Sequence, residues 1–401
     1  MVIEEDYTMN DFEFRSPTHF VFGRHSEERI GTLASAYGKK VLVHYGGGSA
    51  TRSGLLDRVI TTLSRSGLDV VTLGGVQPNP RDTLVYEGIR LCRDKGVEFI
   101  LAVGGGSTID SAKAIAVGTP YEGDFWDLYS GKAPQSTLPV GVVLTIPAAG
   151  SEGSIGSVIT REDGLLKRDC CHEFMRPVFA IMNPELTFTL SSFQTACGAA
   201  DIMAHVLERY LTCTSGVDFT DRLCEAVLSA VYHSAPIVLS NPCNYDARAN
   251  IMWAGMVAHN NMVGVGRQGD WSCHQIEHEM SGLYDVAHGA GLAVVIPAFM
   301  RFQYMHDVMR FAQLATRVFG VDMDFSDPRS TALEGIDRLE AFFRSLGLPT
   351  TFDELGAREE DIPLLAAKCN LNNGDLLGFF HPISRAQIED VLRLACRKVA
   401  G

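Results

Sequence analysis

From Lys39 onward the chain alternates short apolar runs with longer stretches whose apolar residues recur every three or four positions. The runs KKVLVHY, LDVVTL, VEFILAV, LPVGVVLTIP and PVFAIMNP show little polar alternation, which predicts strands buried on both faces. Between the first of them, TRSGLLDRVITTLSRSG, RDTLVYEGIRLCRDKG and STIDSAKAIAVG carry helical spacing. Strand then helix, repeated, predicts a parallel sheet covered on both sides. Beyond Pro184 the strand signals fade, and residues 195–211, 217–240, 246–264, 299–319, 331–346 and 385–399 all fit helices. The expected division is therefore an α/β domain over 1–190 and an all-helical domain over 191–401.

A length of 401 residues suits two such domains better than one. The net charge of −14 argues against nucleic acid or an anionic membrane as partner. The longest apolar stretches, LPVGVVLTIPAAG and GLAVVIPAFM, are too short and too interrupted by Pro and Gly to span a bilayer. The start, MVIEEDYTMNDFEF, is acidic and lacks the layout of a signal peptide, so a cytoplasmic protein is expected, with residues 1–8 as an added tail. Ten cysteines without a CxxC pair, Cys170 and Cys171 adjacent, are expected as reduced, mostly buried thiols.

Candidate chemistry concentrates in two places. In the second half, Asp201 and His205 stand four apart in GAADIMAHVLERYL, which puts carboxylate and imidazole on one helix face. His274 and His288 fall in WSCHQIEHEMSGLYDVAHGAG. One carboxylate and three imidazoles suit a divalent cation such as Fe2+ or Zn2+, with Co and Ni also compatible. HQIEH has the histidine spacing of HExxH, but its glutamate is Glu277, next to the second histidine, so a zinc peptidase is disfavoured.

In the first half, two strands each end in GGGS ahead of a helix: Gly46, Gly47, Gly48 and Ser49, then Gly104, Gly105, Gly106 and Ser107. Such a turn lets backbone N–H groups approach a phosphate at the helix start. The GxGxxG fingerprint is absent. No Asp or Glu lies between Tyr45 and Ser53, and Arg52 stands nearby, an arrangement that permits a 2′-phosphate and favours NADP(H) over NAD(H). A cation that polarises a carbonyl and a dinucleotide that carries hydride together point to alcohol–carbonyl redox.

With these residues in view, the chain resembles the iron-containing (group III) alcohol dehydrogenases, most of all their butanol dehydrogenase and broad-range aldehyde reductase branch. The resemblance is carried by PTHFVFG, VLVHYGGGS, VQPNPR, LAVGGGSTIDSAK, GDFWDL, LTIPAAGSE, MRPVFAIMNPELTFTL, ADIMAHVLERY, ARANIMWAGMVA, DWSCHQIEHEMSGLYDVAHGAGLAV and LGLP. It implies an N-terminal Rossmann-like domain and a C-terminal helical, metal-binding domain of the dehydroquinate synthase-like plan, assembled as a homodimer. It implies Asp201, His205, His274 and His288 as metal ligands and His278 as the histidine near nicotinamide and substrate oxygen. It further implies Gly104, Gly105, Gly106, Ser107 and Asp110 at the pyrophosphate and nicotinamide-side loop, and Gly46, Gly47, Gly48 and Ser49 at the adenosine end. Thr145 and Ser151 match cofactor-lining positions, and Lys167 a basic one near the adenosine. One departure stands out: Ala149 replaces the threonine of the family's TGSE, removing a hydroxyl from that lining.

The expected activity is metal-dependent, NAD(P)H-linked interconversion of small aldehydes and primary alcohols. Phe188, Trp253, Phe299 and Phe379 are candidate walls of the substrate pocket, or ordinary core aromatics. The alternatives are a metal- and NAD-dependent lyase or cyclase of the dehydroquinate synthase type, and a metal-binding protein that has lost catalysis. The first is opposed by the lack of extra Lys, Arg and Asn anchors for a polyanionic substrate.

Overall fold

The computed structural model describes residues 8–396, so most of the expected N-terminal tail lies outside the described residues. Two compact units emerge: Arg15–Leu190 with Pro242–Asn260, and Met1–Phe14 with Ser191–Asn241 and Asn261–Gly401.

The first unit is built on strands β1 (His19–Phe22), β2 (Lys40–Gly46), β3 (Asp69–Val76), β4 (Phe99–Gly105), β5 (Val140–Ile146), β6 (Gly156–Arg161), β7 (Leu166–Cys171) and β8 (Phe179–Met182). Six of them form one parallel sheet in the order β1-β8-β5-β4-β2-β3. Its helices are α1 (Ile30–Ala34), α2 (Ser49–Arg52), α3 (Leu55–Arg65), α4 (Asp82–Lys95) and α5 (Gly106–Gly118). Successive strand residues feed two separate cores, as a two-faced sheet requires. Leu42, Ile100, Ala102 and Val142 join one, while Val41, Val43, Leu101 and Val143 join the other.

The chain leaves β2 for β3 on one side, then returns past it to place β4 on the other. The C-terminal ends of β2 and β4 are thus neighbours at the point where strand order reverses, where open α/β sheets bind ligands. Both GGGS segments sit there.

The polar stretch after β5, without the buried-strand signature, forms a separate antiparallel pair, β6 with β7, turned at Gly164 and Leu165, both with positive φ. The expected single cut at 190 is also not what the chain does. Helix α8 (Tyr245–His259) belongs to the sheet unit. Met252 and Met256 enter the core beneath the sheet, and the Trp253 ring meets Phe20 and Phe22 edge-on at 6.1 and 5.9 Å.

The second unit comprises α6 (Ser192–Tyr210), α7 (Asp218–Ser240), α9 (Ser272–Tyr284), α10 (His288–Gln303), α11 (Val308–Val318), α12 (Pro328–Ser345), α13 (Phe352–Leu355), α14 (Ile362–Lys368) and α15 (Arg385–Ala395). The continuous helix expected over 299–319 is two helices. α10 ends at Gln303, and Asp307 caps α11 by accepting from Arg310 N at 3.0 Å. α7 is long and apolar enough to cross a bilayer by composition. Its buried Asp221 is nevertheless paired with Arg267 at 2.8 Å and Arg310 at 2.6 Å, which makes it a core helix of this unit. All ten cysteines are free, and five are buried.

One buried group gives the sheet unit a pH dependence. His44, on β2, has Nδ1 2.9 Å from Leu73 O and Nε2 2.8 Å from Ser111 Oγ. Burial pulls its pKa from 6.5 down to about 4. The ring stays neutral when folded but takes a proton below about pH 6.5 when unfolded, so its contribution is present above that pH and lost as pH falls towards 4. The full difference is about 3 kcal/mol. His44→Asn is expected to flatten the fall in urea-unfolding free energy between pH 7 and 4.5; slopes identical to the parent's would sink this account.

Candidate functional site

α6 starts with a capping box in which Ser191 and Gln194 satisfy one another's N–H groups, then continues as an Ala-rich helix. Asp201 and His205, each 4% exposed, lie one turn apart on it. His205 Nδ1 is 2.9 Å from Asp201 O and 3.0 Å from Asp201 Oδ1. From α9, the His274 ring comes within 4.4 Å of the His205 ring, centroid to centroid. From the first position of α10, His288 brings Nε2 to 3.8 Å from Asp201 Oδ1 and its ring to 5.3 Å from His274. Ligand atoms of Asp201, His205 and His274 all lie within 4.8 Å of one another, as do those of Glu277, His278 and His288. The four sequence-derived ligands therefore converge.

Two further residues shape this cluster. Glu208 Oε1 lies 3.1 Å from His274 Nδ1, and Glu277 Oε2 is hydrogen-bonded to His288 Nδ1. Each of the three imidazoles thus has Nδ1 tied to oxygen, which makes Nε2 the lone-pair nitrogen, the arrangement that orients metal-binding histidines. A carboxylate and three oriented imidazoles match the chemistry of a divalent cation of borderline softness, so the residues present fit such an ion. His278, 5% exposed, stands one turn beyond His274, its ring 6.5 Å from that of His274 and 5.7 Å from that of His288.

α10 approaches closely enough for this because it begins His-Gly-Ala-Gly. A Cβ on Gly289 would sit 2.0 Å from Cys197 O of α6, and one on Gly291 would sit 2.8 Å from Glu277 Cγ of α9.

The sheet unit holds the other expected residues. Gly46 ends β2 and Gly105 ends β4, with Tyr45 paired to Val103. α5 starts at Gly106, so Gly106, Ser107 and Thr108 form its first turn, whose N–H groups have no intrahelical partner. A Cβ on Gly105 would stand 2.8 Å from Ile146 Cβ, so this close strand-to-helix passage admits only glycine. Thr145 lies at the β4–β5 irregularity, between the partners of Gly104 and Gly105. At the other loop, Arg52 Nη1 folds back to 2.9 Å from where a Gly48 Cβ would be.

Asp110 and Ser151 meet, but each uses the other. Ser151 Oγ donates to Asp110 Oδ1 at 2.6 Å, and Val158 N donates to Oδ2 at 3.0 Å. Burial raises the Asp110 pKa, opposed by Lys113. Lys167 Nζ bonds Asn79 Oδ1 at 3.1 Å. Nothing in the sequence singles out Lys113, whose Nζ donates to Ser154 O and Gly156 O at 2.9 and 2.8 Å, fixing the turn that carries Ser151. Burial lowers its pKa to about 8 and raises that of nearby Glu152 to about 7. Among the candidate walls, Phe299 is fully buried in α10, Phe188 and Phe379 are partly buried, and Trp253 is 46% exposed on α8.

Residues 17–184 match the iron-containing alcohol dehydrogenase family, and residues 195–396 match the C-terminal region of the same family. The chain belongs to the iron-containing alcohol dehydrogenases. A probable NADH-dependent butanol dehydrogenase of Bacillus subtilis (strain 168) is 41% identical over 96% of this chain and 99% of its own. An NADPH-dependent aldehyde reductase of Escherichia coli (strain K12) is 35% identical over 94% of this chain and 97% of its own. The crystal structure of an NADH-dependent butanol dehydrogenase from Thermotoga maritima superposes with a TM-score of 0.93 at 35% identity, covering 97% of this chain and all of that one. Membership carries with it a divalent metal and a nicotinamide dinucleotide, so the iron-containing alcohol dehydrogenase described here is an NAD(P)-dependent oxidoreductase.

Proposed function

We propose that this alcohol dehydrogenase interconverts short-chain aldehydes and primary alcohols of the butanal/butanol class, with Asp201, His205, His274 and His288 as metal ligands and NADP(H) as the preferred dinucleotide. The observation that carries the reading is the convergence of one carboxylate and three imidazoles, each with Nδ1 held by oxygen. When bound, the cation supplies Lewis-acid polarisation of a carbonyl and the dinucleotide supplies hydride.

The protein's own groups bind, orient and move protons. Asp201 supplies the negative charge of the ligand set, and Glu208 and Glu277 keep His274 and His288 in one tautomer. His278, close to the cluster and without a place among the four ligands, carries the proton that an alcohol oxygen gains in reduction and loses in oxidation. In the sheet unit, the α5 N-terminus and the loops 46–49 and 104–107 take the diphosphate and adenosine ribose. Thr145, Ser151 and Asp110 line the nicotinamide side, and Lys167 the adenosine end.

The NADP(H) preference rests on Arg52 beside Gly48 and on the absence of a carboxylate from Tyr45 to Ser53. The relatives divide on this point, the more similar one being named for NADH and the other for NADPH. One charge-assisted hydrogen bond to a 2′-phosphate, worth about 1.5 kcal/mol, corresponds to about tenfold in kcat/KM. Oxidation of NADPH by butanal is expected to exceed that of NADH by this margin when followed at the nicotinamide absorbance band. Equal or reversed rates would remove the NADP(H) assignment, and no steady oxidation of either would remove the reductase reading itself. A homodimer in the cytoplasm is part of the same proposal. The homodimer is supported by exposed Phe22 on β1, an edge strand, and exposed Trp253 against it.

A further inference from the structure

We propose that Glu208 is a positioning residue for the metal site, clamping the start of α9 to the ligand face of α6 and thereby fixing which nitrogen His274 presents. The proposal rests on the reading of the Asp/His cluster as a cation site.

Glu208 follows Asp201 by seven residues and His205 by three, so it shares their face of α6. It is 2% exposed. Its Oε1 accepts from His274 N at 2.9 Å and lies 3.1 Å from His274 Nδ1. Its carbonyl accepts from Asp270 N at 2.7 Å. One residue therefore holds the segment 270–274 by backbone and side chain together.

α9 needs such a hold. Its N-cap, Trp271, has φ of 69° and a side chain that makes no capping bond. A helix start leaves N–H groups without intrahelical partners and a partial positive charge, and Glu208 supplies an oxygen to one of them from a neighbouring helix. The same oxygen decides the ring. A neutral imidazole can present either nitrogen to a cation; with Nδ1 tied to Glu208, Nε2 is the one His274 can present. Trp271 closes the arrangement, its ring 5.3 Å from that of His274 and 4.5 Å beneath the Arg209 guanidinium.

The test uses the full-length protein, stripped of metal and titrated with Co2+ alone against a competing chelator, with quenching of Trp271 emission as a second readout. Glu208→Ala is expected to weaken Co2+ binding by about 10- to 100-fold, the usual effect of removing a partner that orients a metal-binding histidine. Glu208→Gln, which keeps an amide oxygen at the same reach, is expected to recover at least part of that loss. Should Glu208→Ala not accumulate as folded protein, Glu208→Asp, one methylene short of His274, is expected to show the same weakening. Parental affinity in the Ala or Asp variant overturns the proposal. So does equal loss of apoprotein stability in Ala and Gln variants with affinity unchanged, which is the behaviour of a helix cap alone. Failure of the parent protein to bind Co2+ removes the underlying metal reading as well, so the two failures are told apart.

Discussion

Asp201→Ala is expected to yield a folded protein that retains no divalent cation after gel filtration and turns over aldehyde at least about 10³-fold more slowly. Its Oδ1 lies 3.0 Å from His205 Nδ1 and 3.8 Å from His288 Nε2, so one substitution removes the anionic member from the centre of the set. Three imidazoles without a carboxylate leave the cation's charge uncompensated in a site where only His288, with 23% of its side chain exposed, is not buried. A metal centre is worth several kcal/mol to the transition state, and each 1.36 kcal/mol is tenfold, which sets the size of the loss. Elemental analysis and initial rates of NAD(P)H oxidation check both halves of the statement, and circular dichroism checks the fold. Parental turnover in a metal-free Asp201→Ala or His274→Ala protein would end the proposal. His278→Ala separates ligand from proton carrier: full metal content with a rate lowered about 10²- to 10⁴-fold is expected.

Gly289→Ala is the second large effect, and it acts through packing. The added methyl would lie 2.0 Å from Cys197 O and 2.6 Å from Cys197 C, a collision with helical backbone that no rotamer relieves. Either α6 and α10 separate or the first turn of α10 unwinds, and in both cases His288 moves with it. Overpacking of this kind costs about 1–3 kcal/mol and more when backbone must shift, so a loss near the top of that range is expected in urea unfolding. Reduced Co2+ retention should accompany it. An unchanged midpoint and unchanged retention would show that the two helices do not need to touch there.

That these side chains would come together is legible in the sequence in part. Asp201 and His205 are four apart on a strongly helical segment, and His274 and His288 cluster between glycines, so side-chain type and spacing sufficed. Glu208 continues the same face at the next turn, yet a lone glutamate on a helix is indistinguishable in sequence from a solvent-facing charge. In sequence, Glu277 stands out only as a misplaced protease base. Its role depends on where α10 packs, and that depends on contacts remote in sequence. The glycine loops were legible because strand, glycines and helix are contiguous. The mutual use of Asp110 and Ser151, forty-one positions apart, was not. Likewise nothing within Tyr45–Ser53 reports which dinucleotide is preferred, beyond the missing carboxylate and Arg52.

The order in which the chain visits its two units has a consequence for biosynthesis. A ribosome that has translated 190 codons has made every strand but not α8, whose Met252 and Met256 complete the packing under the sheet. The sheet unit is therefore complete only after α6 and α7 of the other unit have already been made. Through that interval the apolar face under the sheet lacks its α8 cover, which makes division of the gene near codon 190 a poor way to obtain the sheet unit alone.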